Sequence, residues 1–182
     1  MANHVSTYIT VESDNPTVYE KLKELFDGKS GNELGEPLTL YNIFYPENEG
    51  YDRSQYSEQM GAKWVYADNV EYGDDYFEMA TVSAWYFCDG MIKRMGEILS
   101  EIDEEVLIKF TFEDESLDPI GGGACYKGEF LSYEDEYEWP DEEELSQEEY
   151  DIEYDSMWEN VHHICNGLME DAVRDILNKS NQ

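Results

Sequence analysis

The chain opens with an alternation of apolar and polar positions that has the two-residue period of a β-strand. Val5, Ile9 and Val11 share one face of residues 4–12, and Tyr8 lies on the other face. This alternation predicts a strand with one buried side.

Later segments have a similar composition and predict most of a sheet. Residues 62–70 and 76–85 are rich in aromatic and β-branched side chains and flank an acidic, glycine-containing turn, which predicts a hairpin. Residues 106–112 alternate again. The three glycines at 121–123 predict a turn that leads into a returning strand over 125–131.

Two stretches have the spacing of helices. Asn15-Pro16 supplies an N-cap and a favoured first helical residue, and apolar side chains recur at helical spacing until Gly28, so a short helix is predicted there. Asp89 is expected to cap a second helix that lies on the sheet. The apolar stripe of this helix consists of Met91, Met95, Ile98 and Ile102.

The segments between these elements are less regular. Residues 29–37 are polar and predict a loop, and residues 38–45 predict a further strand that ends at Pro46. Residues 47–60 are polar and turn-like.

The order β-α-β-β-α-β-β predicts an α+β fold, with a ferredoxin-like antiparallel sheet and two helices on one face. This domain is expected to span residues 1–131. Residues 132–182 form an acidic segment and an amphipathic C-terminal helix, which we expect to pack on the same domain. A chain of 182 residues suits one such core.

The net charge of the chain restricts its possible functions more than any other feature of the sequence. Asp and Glu number 44 against 11 Lys and Arg, so the formal net charge is −33. Such a charge repels nucleic acid and anionic lipid, which argues against direct binding to either. A basic protein that normally binds DNA or RNA is therefore the expected partner.

Other features predict a protein of a reducing cytoplasm. Residues 1–10 lack a basic stretch followed by an apolar run, and no segment approaches the roughly 18 apolar residues of a membrane span. Cys88, Cys125 and Cys165 are odd in number and widely spaced, so we expect buried, reduced thiols.

The negative charge is densest at residues 133–159, which hold fourteen Asp or Glu and no Lys or Arg. Duplex DNA carries one negative charge about every 1.7 Å of its axis, and carboxylates on a helix that rises about 1.5 Å per residue approach that density. Interspersed tyrosines would supply rigid contact area. The predicted partner-binding residues are Glu134, Asp135, Glu136, Tyr137, Glu138, Asp141, Glu142, Glu143, Glu144, Glu148, Glu149, Tyr150, Asp151, Glu153, Tyr154 and Asp155. A solvated linker in a generally acidic protein is the alternative.

Catalytic and metal-binding patterns are weak. The acids do not form a calcium loop with a glutamate at its twelfth position, and we expect no metal ligands and no cofactor. His162, His163 and Cys165 are too close along a helix for more than one pair to face one metal. Nucleophile, phosphate-loop and zinc-protease motifs are absent, so we expect no enzymatic activity.

Four short motifs occur together: Asn3-His4-Val5, Pro46-Glu47, Gly61-Ala62-Lys63-Trp64 and the Thr81-to-Trp85 segment. In these the chain resembles the YubB-type ferredoxin-like family of plasmid and bacteriophage proteins, over roughly residues 1–131. The resemblance implies a ferredoxin-like fold and a mobile-element origin, and it brings no established activity.

The leading functional hypothesis is an acidic nucleic-acid mimic, encoded by a phage, that blocks a host nucleic-acid-binding protein. Anti-CRISPR, anti-restriction and host-takeover roles all belong to this class. One alternative is a homo-oligomeric structural or accessory protein whose C-terminal helix pairs with its copy. Another is a carboxylate-metal hydrolase.

Overall fold

A computed structural model describes residues 3–27, 37–48, 52–139 and 146–180. Its strands are β1 (His4–Glu12), β2 (Val65–Tyr72), β3 (Phe77–Ala84), β4 (Leu107–Asp114), β5 (Ile120–Tyr126) and β6 (Glu129–Asp135). Its helices are α1 (Pro16–Phe26), α2 (Pro37–Phe44), α3 (Arg53–Met60), α4 (Asp89–Ser100) and α5 (Gln147–Ser180).

The six strands form one antiparallel sheet in the order β2-β3-β1-β4-β5-β6. The predicted α+β class is confirmed. The sheet has six strands where the predicted order has five, because the chain after β4 forms two strands, β5 and β6. In the centre, Tyr8 of β1 lies opposite Ala80 of β3 and Thr111 of β4.

The predicted strand at residues 38–45 is wrong, because this segment is the helix α2. Leu40, Tyr41 and Phe44 are all buried, and between Leu40 and Tyr45 only Asn42 is exposed. Because Asn42 is the one exposed side chain among residues 40–45, this stretch lacks the periodicity that separates a helix from a buried strand.

The turn-like prediction for residues 47–60 is also wrong in its second half, which forms α3. Asp52 caps this helix by accepting a hydrogen bond from the Gln55 amide at 2.9 Å. Gly61, with φ of 82°, ends it in the left-handed conformation. Only Tyr56 and Met60 of this helix are buried, so its apolar signal is weak.

Residues 121–123 do not form the predicted turn but lie inside β5. A Cβ atom on Gly122 would lie 2.6 Å from the Cys165 carbonyl oxygen, so the backbone of α5 lies directly on this strand. The turn is instead Lys127-Gly128, with φ of 50° and 76°, the positive values that a two-residue hairpin turn requires. The returning strand therefore divides into β5 and β6.

The helices cover opposite faces of the sheet. Helix α4 lies on the face of the sheet to which Cys125 points, because a Cβ on Gly96 would meet the Cys125 thiol. Helix α5 lies against Gly122, which is three residues from Cys125 in β5 and therefore faces the opposite side. The main core lies on the α4 face, where Ile9, Phe110 and other buried residues of the strands meet α1 to α4. The two predicted helices, α1 and α4, therefore share one face as expected, and the C-terminal helix α5 covers the other face.

Helix α4 differs from its prediction in one detail. Asp89 is its first residue and pairs with Lys93 at 2.6 Å, and no side chain caps the helix at Cys88. Met91 and Met95 are buried as expected, whereas Ile98 and Ile102 are only partly buried.

Candidate acidic interface

The predicted partner-binding carboxylates fall into groups by their place in the fold. Glu134 and Asp135 end β6, Glu136 and Glu138 follow directly, and all four side chains are exposed. The residues that lie outside the described ones are Asp141, Glu142, Glu143 and Glu144, together with the side chains of Glu148, Asp151, Glu153 and Asp155 on α5.

The start of α5 is fixed by a reciprocal cap. The Ser146 amide and hydroxyl both donate to the Glu149 carboxylate, at 3.0 and 2.6 Å, and the Glu149 amide donates to the Ser146 hydroxyl at 3.4 Å. These hydrogen bonds lower the pKa of the exposed Glu149 carboxyl. The Ser-x-x-Glu spacing is the sequence signature of this cap, so it could have located the helix start.

The first turns of α5 do not pack on the sheet. Among the described side chains of residues 147–156 none is buried, and burial along the helix begins at Met157. Ile152, Tyr154 and Trp158 are large apolar residues that remain exposed here. Trp158 therefore lies on the outer side of the helix, although its neighbour Met157 is buried.

Tyr137 brings the end of β6 close to the start of α5. Its ring packs on a small cluster that includes Leu117, Met157 and Val161, and its amide donates to the Leu117 carbonyl at 3.0 Å. Tyr137 is thus partly buried and packs within the fold, and its role as a contact residue stays a prediction. It anchors residues 136–139, and the exposed Trp139 meets it edge-on at 6.0 Å between ring centroids.

The two remaining predicted tyrosines form a pair. Tyr150 is partly buried and Tyr154 is exposed, and their rings stack with centroids 6.3 Å apart. We call residues 134–139 and 146–158 together the acidic surface.

Positive charge is scarce around the acidic surface. The chain has no Lys or Arg between Lys127 and Arg174, a span that holds seventeen Asp or Glu.

The Tyr86 hydroxyl donates a hydrogen bond to Glu134. Burial is the larger cause and this hydrogen bond the next of the raised pKa of Tyr86.

Sequence reasoning did not assign the exposed apolar side chains Trp139 and Ile152 to the interface. Both stand among acids, where an isolated apolar residue carries no periodic signal. Their exposure, together with that of Tyr154 and Trp158, provides the apolar contact area that charge alone does not.

The His162, His163 and Cys165 group does not converge on one point. Both histidines are exposed, while Cys165 is buried and its thiol donates to the Phe112 carbonyl at 3.5 Å. Within residues 3–27, 37–48, 52–139 and 146–180, no group of three or more His, Cys, Asp or Glu side chains is arranged to hold a metal ion.

Comparisons with protein-family models, curated proteins and solved structures find no match for this chain. The YubB-type resemblance therefore stays a prediction. In the part of the chain that the structure describes, no helix is both long and apolar enough to cross a membrane.

Proposed function

We propose that this protein is an acidic nucleic-acid mimic that occupies the binding groove of a basic, nucleic-acid-binding host protein. The observation that carries the proposal is the acidic surface itself, which exposes Trp139, Tyr154 and Trp158 in the same two segments as its exposed carboxylates. These carboxylates belong to Glu134, Asp135, Glu136, Glu138 and Glu149. A surface that only kept the chain in solution would have no need of exposed indole rings.

The mechanism is competitive occupancy. Carboxylates take the places of phosphates in a groove lined by Lys and Arg, and long-range attraction accelerates the encounter. The aromatic and apolar side chains then supply the desolvated contacts that hold the complex. Rigidity matters because a preformed surface loses little conformational entropy on binding, and the cap at Ser146 and the packing of Tyr137 both supply it.

Affinity capture from a bacterial lysate, with two charge-matched variants, tests this proposal. The first variant neutralises the acidic surface with Glu134→Gln, Asp135→Asn, Glu136→Gln and Glu138→Gln. The control makes four changes at exposed acids of α1, of α3 and of the segment that follows α4, all outside the acidic surface. These changes are Glu20→Gln, Glu58→Gln, Glu101→Gln and Glu104→Gln. The two variants have the same net charge.

We expect the first variant to retain its basic partner about tenfold less well than the control, because four exposed ion pairs of a few tenths to 1 kcal/mol each are lost. If both variants lose the partner equally, net charge alone drives capture and the mimic proposal fails.

Self-association through α5 is the second candidate, because Ile152, Tyr154 and Trp158 are also what a helix pair would bury. Light scattering of an Ile152→Ser, Tyr154→Ser, Trp158→Ser chain distinguishes the two. An oligomer that dissociates in this variant supports assembly, whereas a wild-type monomer excludes it.

We further propose that β1, β2, β3 and β4 with α1 and α4 form a ferredoxin-like unit, to which β5, β6 and α5 are added. The order β2-β3-β1-β4 within the wider sheet supports this. The family resemblance and its mobile-element origin are part of the same proposal.

A further inference from the structure

Tyr8 lies near the middle of the sheet, on the face away from α1 to α4. Helix α5 packs on β4, β5 and β6 on that face. Tyr8 is 48% exposed, although it belongs to the central strand β1. Its directly opposite neighbours, Ala80 and Thr111, have short side chains, so the ring is accessible from both sides.

The Tyr8 side chain separates two cavities. One, of about 310 Å³, lies towards α5 and is also lined by Thr111, His162 and Asn166. The other, of about 180 Å³, lies towards β3 and is lined by Asn69, Glu78 and other residues of β1 to β3.

A poorly compensated carboxylate lies beside the larger cavity. Glu113 is on the same face as Tyr8, diagonally across the β1–β4 pair, because Ser6 is its direct partner. Its side chain is only 13% exposed, and its sole ion-pair partner within the described residues is His162, whose Nε2 atom lies 3.5 Å away. No hydrogen bond reaches this carboxylate from the described residues.

The partly buried Glu113 carboxylate has one possible positive charge close to it among the described residues, the ring of His162. Burial raises the pKa of Glu113, and the protonated form of His162 opposes that rise only in part. Burial, and then the charges of Glu113 and Asp68, raise the pKa of Tyr8. Lys109 is on the same face of β4 but is paired with Glu12.

We propose that the cavity lined by Tyr8 and His162, with the Glu113 carboxylate next to His162, is a binding site for the guanidinium or ammonium group of an Arg or Lys side chain of the partner. The ring of Tyr8 offers a cation–π face, Glu113 offers a charge-assisted hydrogen bond, and Asn166 and Thr111 offer further polar atoms. This inference deepens the proposed function and rests on it for the cationic nature of the partner. It adds a second, sheet-borne contact to the acidic surface.

Titration of the full chain with arginine amide, followed by NMR, tests the site without any partner protein. Citrulline amide is the matched ligand control, because it has the same shape and lacks the positive side-chain charge. Glu113→Gln removes the buried carboxylate charge, and Glu115→Gln removes an exposed one two residues away. A Tyr8→Leu variant removes the aromatic face and keeps an apolar side chain.

We expect arginine amide to shift the resonances of Tyr8, Thr111, His162 and Asn166 together, and citrulline amide to leave them in place. Affinity should fall about tenfold in Glu113→Gln, by less in Tyr8→Leu, and not in Glu115→Gln. Shifts spread over the exposed acids, or equal affinity in Glu113→Gln and Glu115→Gln, would overturn the assignment.

The same experiment separates this inference from the proposed function. Neutralising residues 134–138 should leave the arginine-amide site intact. A localised site in a protein that nevertheless fails to capture a basic partner would contradict mimicry and leave the site standing.

Discussion

The close approach of α5 to β5 makes Gly122→Ala the most informative perturbation of the fold. An added Cβ would lie 2.6 Å from the Cys165 carbonyl oxygen and 2.7 Å from the Met169 amide nitrogen, both of which are backbone atoms. The helix would have to move away by about 0.8 Å to reach an ordinary contact of 3.4 Å. Overpacking of this kind costs about 2 kcal/mol, which lowers the melting temperature of a chain of this size by roughly 4–8 °C.

Gly167→Ala is the matched control, because it makes the same chemical change on the outer side of α5. No heavy atom lies within 4 Å of its added Cβ. The substitution should stabilise the protein by about 0.5–1 kcal/mol, since alanine favours the helix over glycine. Urea unfolding of both variants, followed by circular dichroism, measures the difference. Equal midpoints for Gly122→Ala and the wild type would refute the packing of α5 on β5.

Two further predictions concern titratable side chains. Burial raises the pKa of Cys88, Cys125 and Cys165, in each case to about 11. A thiol reagent at pH 8 should therefore modify all three thiols only after unfolding. Rapid reaction of the native chain would contradict their burial. Because the folded-state pKa of Glu113 is raised, its charged form destabilises the fold at neutral pH, so Glu113→Gln should be more stable than wild type at pH 7. That advantage should shrink as the pH falls through the folded-state pKa, and denaturation midpoints across pH 4–7 would show whether it does.

Where one face of an element is buried and the other is not, the sequence predicted it well. Residues 4–12 and 106–112 alternate, residues 62–70 and 76–85 are rich in aromatic and β-branched side chains, and each of these segments forms a strand over most of its length. The helix after Asn15 was predicted for the same reason, since its cap and its apolar spacing agree, and Asn15 accepts a hydrogen bond from the Thr17 amide at 3.1 Å.

Prediction failed where tertiary packing replaces the local pattern. In helix α2, Asn42 is the one exposed side chain among residues 40–45, so the apolar positions there show no helical period. The glycines at 121–123 have the composition of a turn, yet Gly122 serves the close approach of a helix, while Gly121 and Gly123 make room for the rings of Phe112 and Phe110. Neither the contact with the helix nor the contacts with the two rings can be inferred from residues that are close in the sequence.

The candidate site was predicted in composition but not in arrangement. The density of carboxylates is a property of the sequence, whereas the packing of Tyr137 against Met157, which joins the two parts of the acidic surface, depends on the fold. The Tyr8 site was missed because its residues come from β1, β4 and α5, and no spacing along the chain connects them.

Competition with duplex DNA tests the central claim most directly. The captured partner, bound to the immobilised protein, is challenged with a duplex of about 25 base pairs at a series of salt concentrations. If carboxylates stand in for phosphates, DNA should release the partner, and retention should fall steeply with rising salt, less steeply for the variant neutralised at residues 134–138. A partner that stays bound in excess DNA, with a retention that salt does not change, would contradict the account.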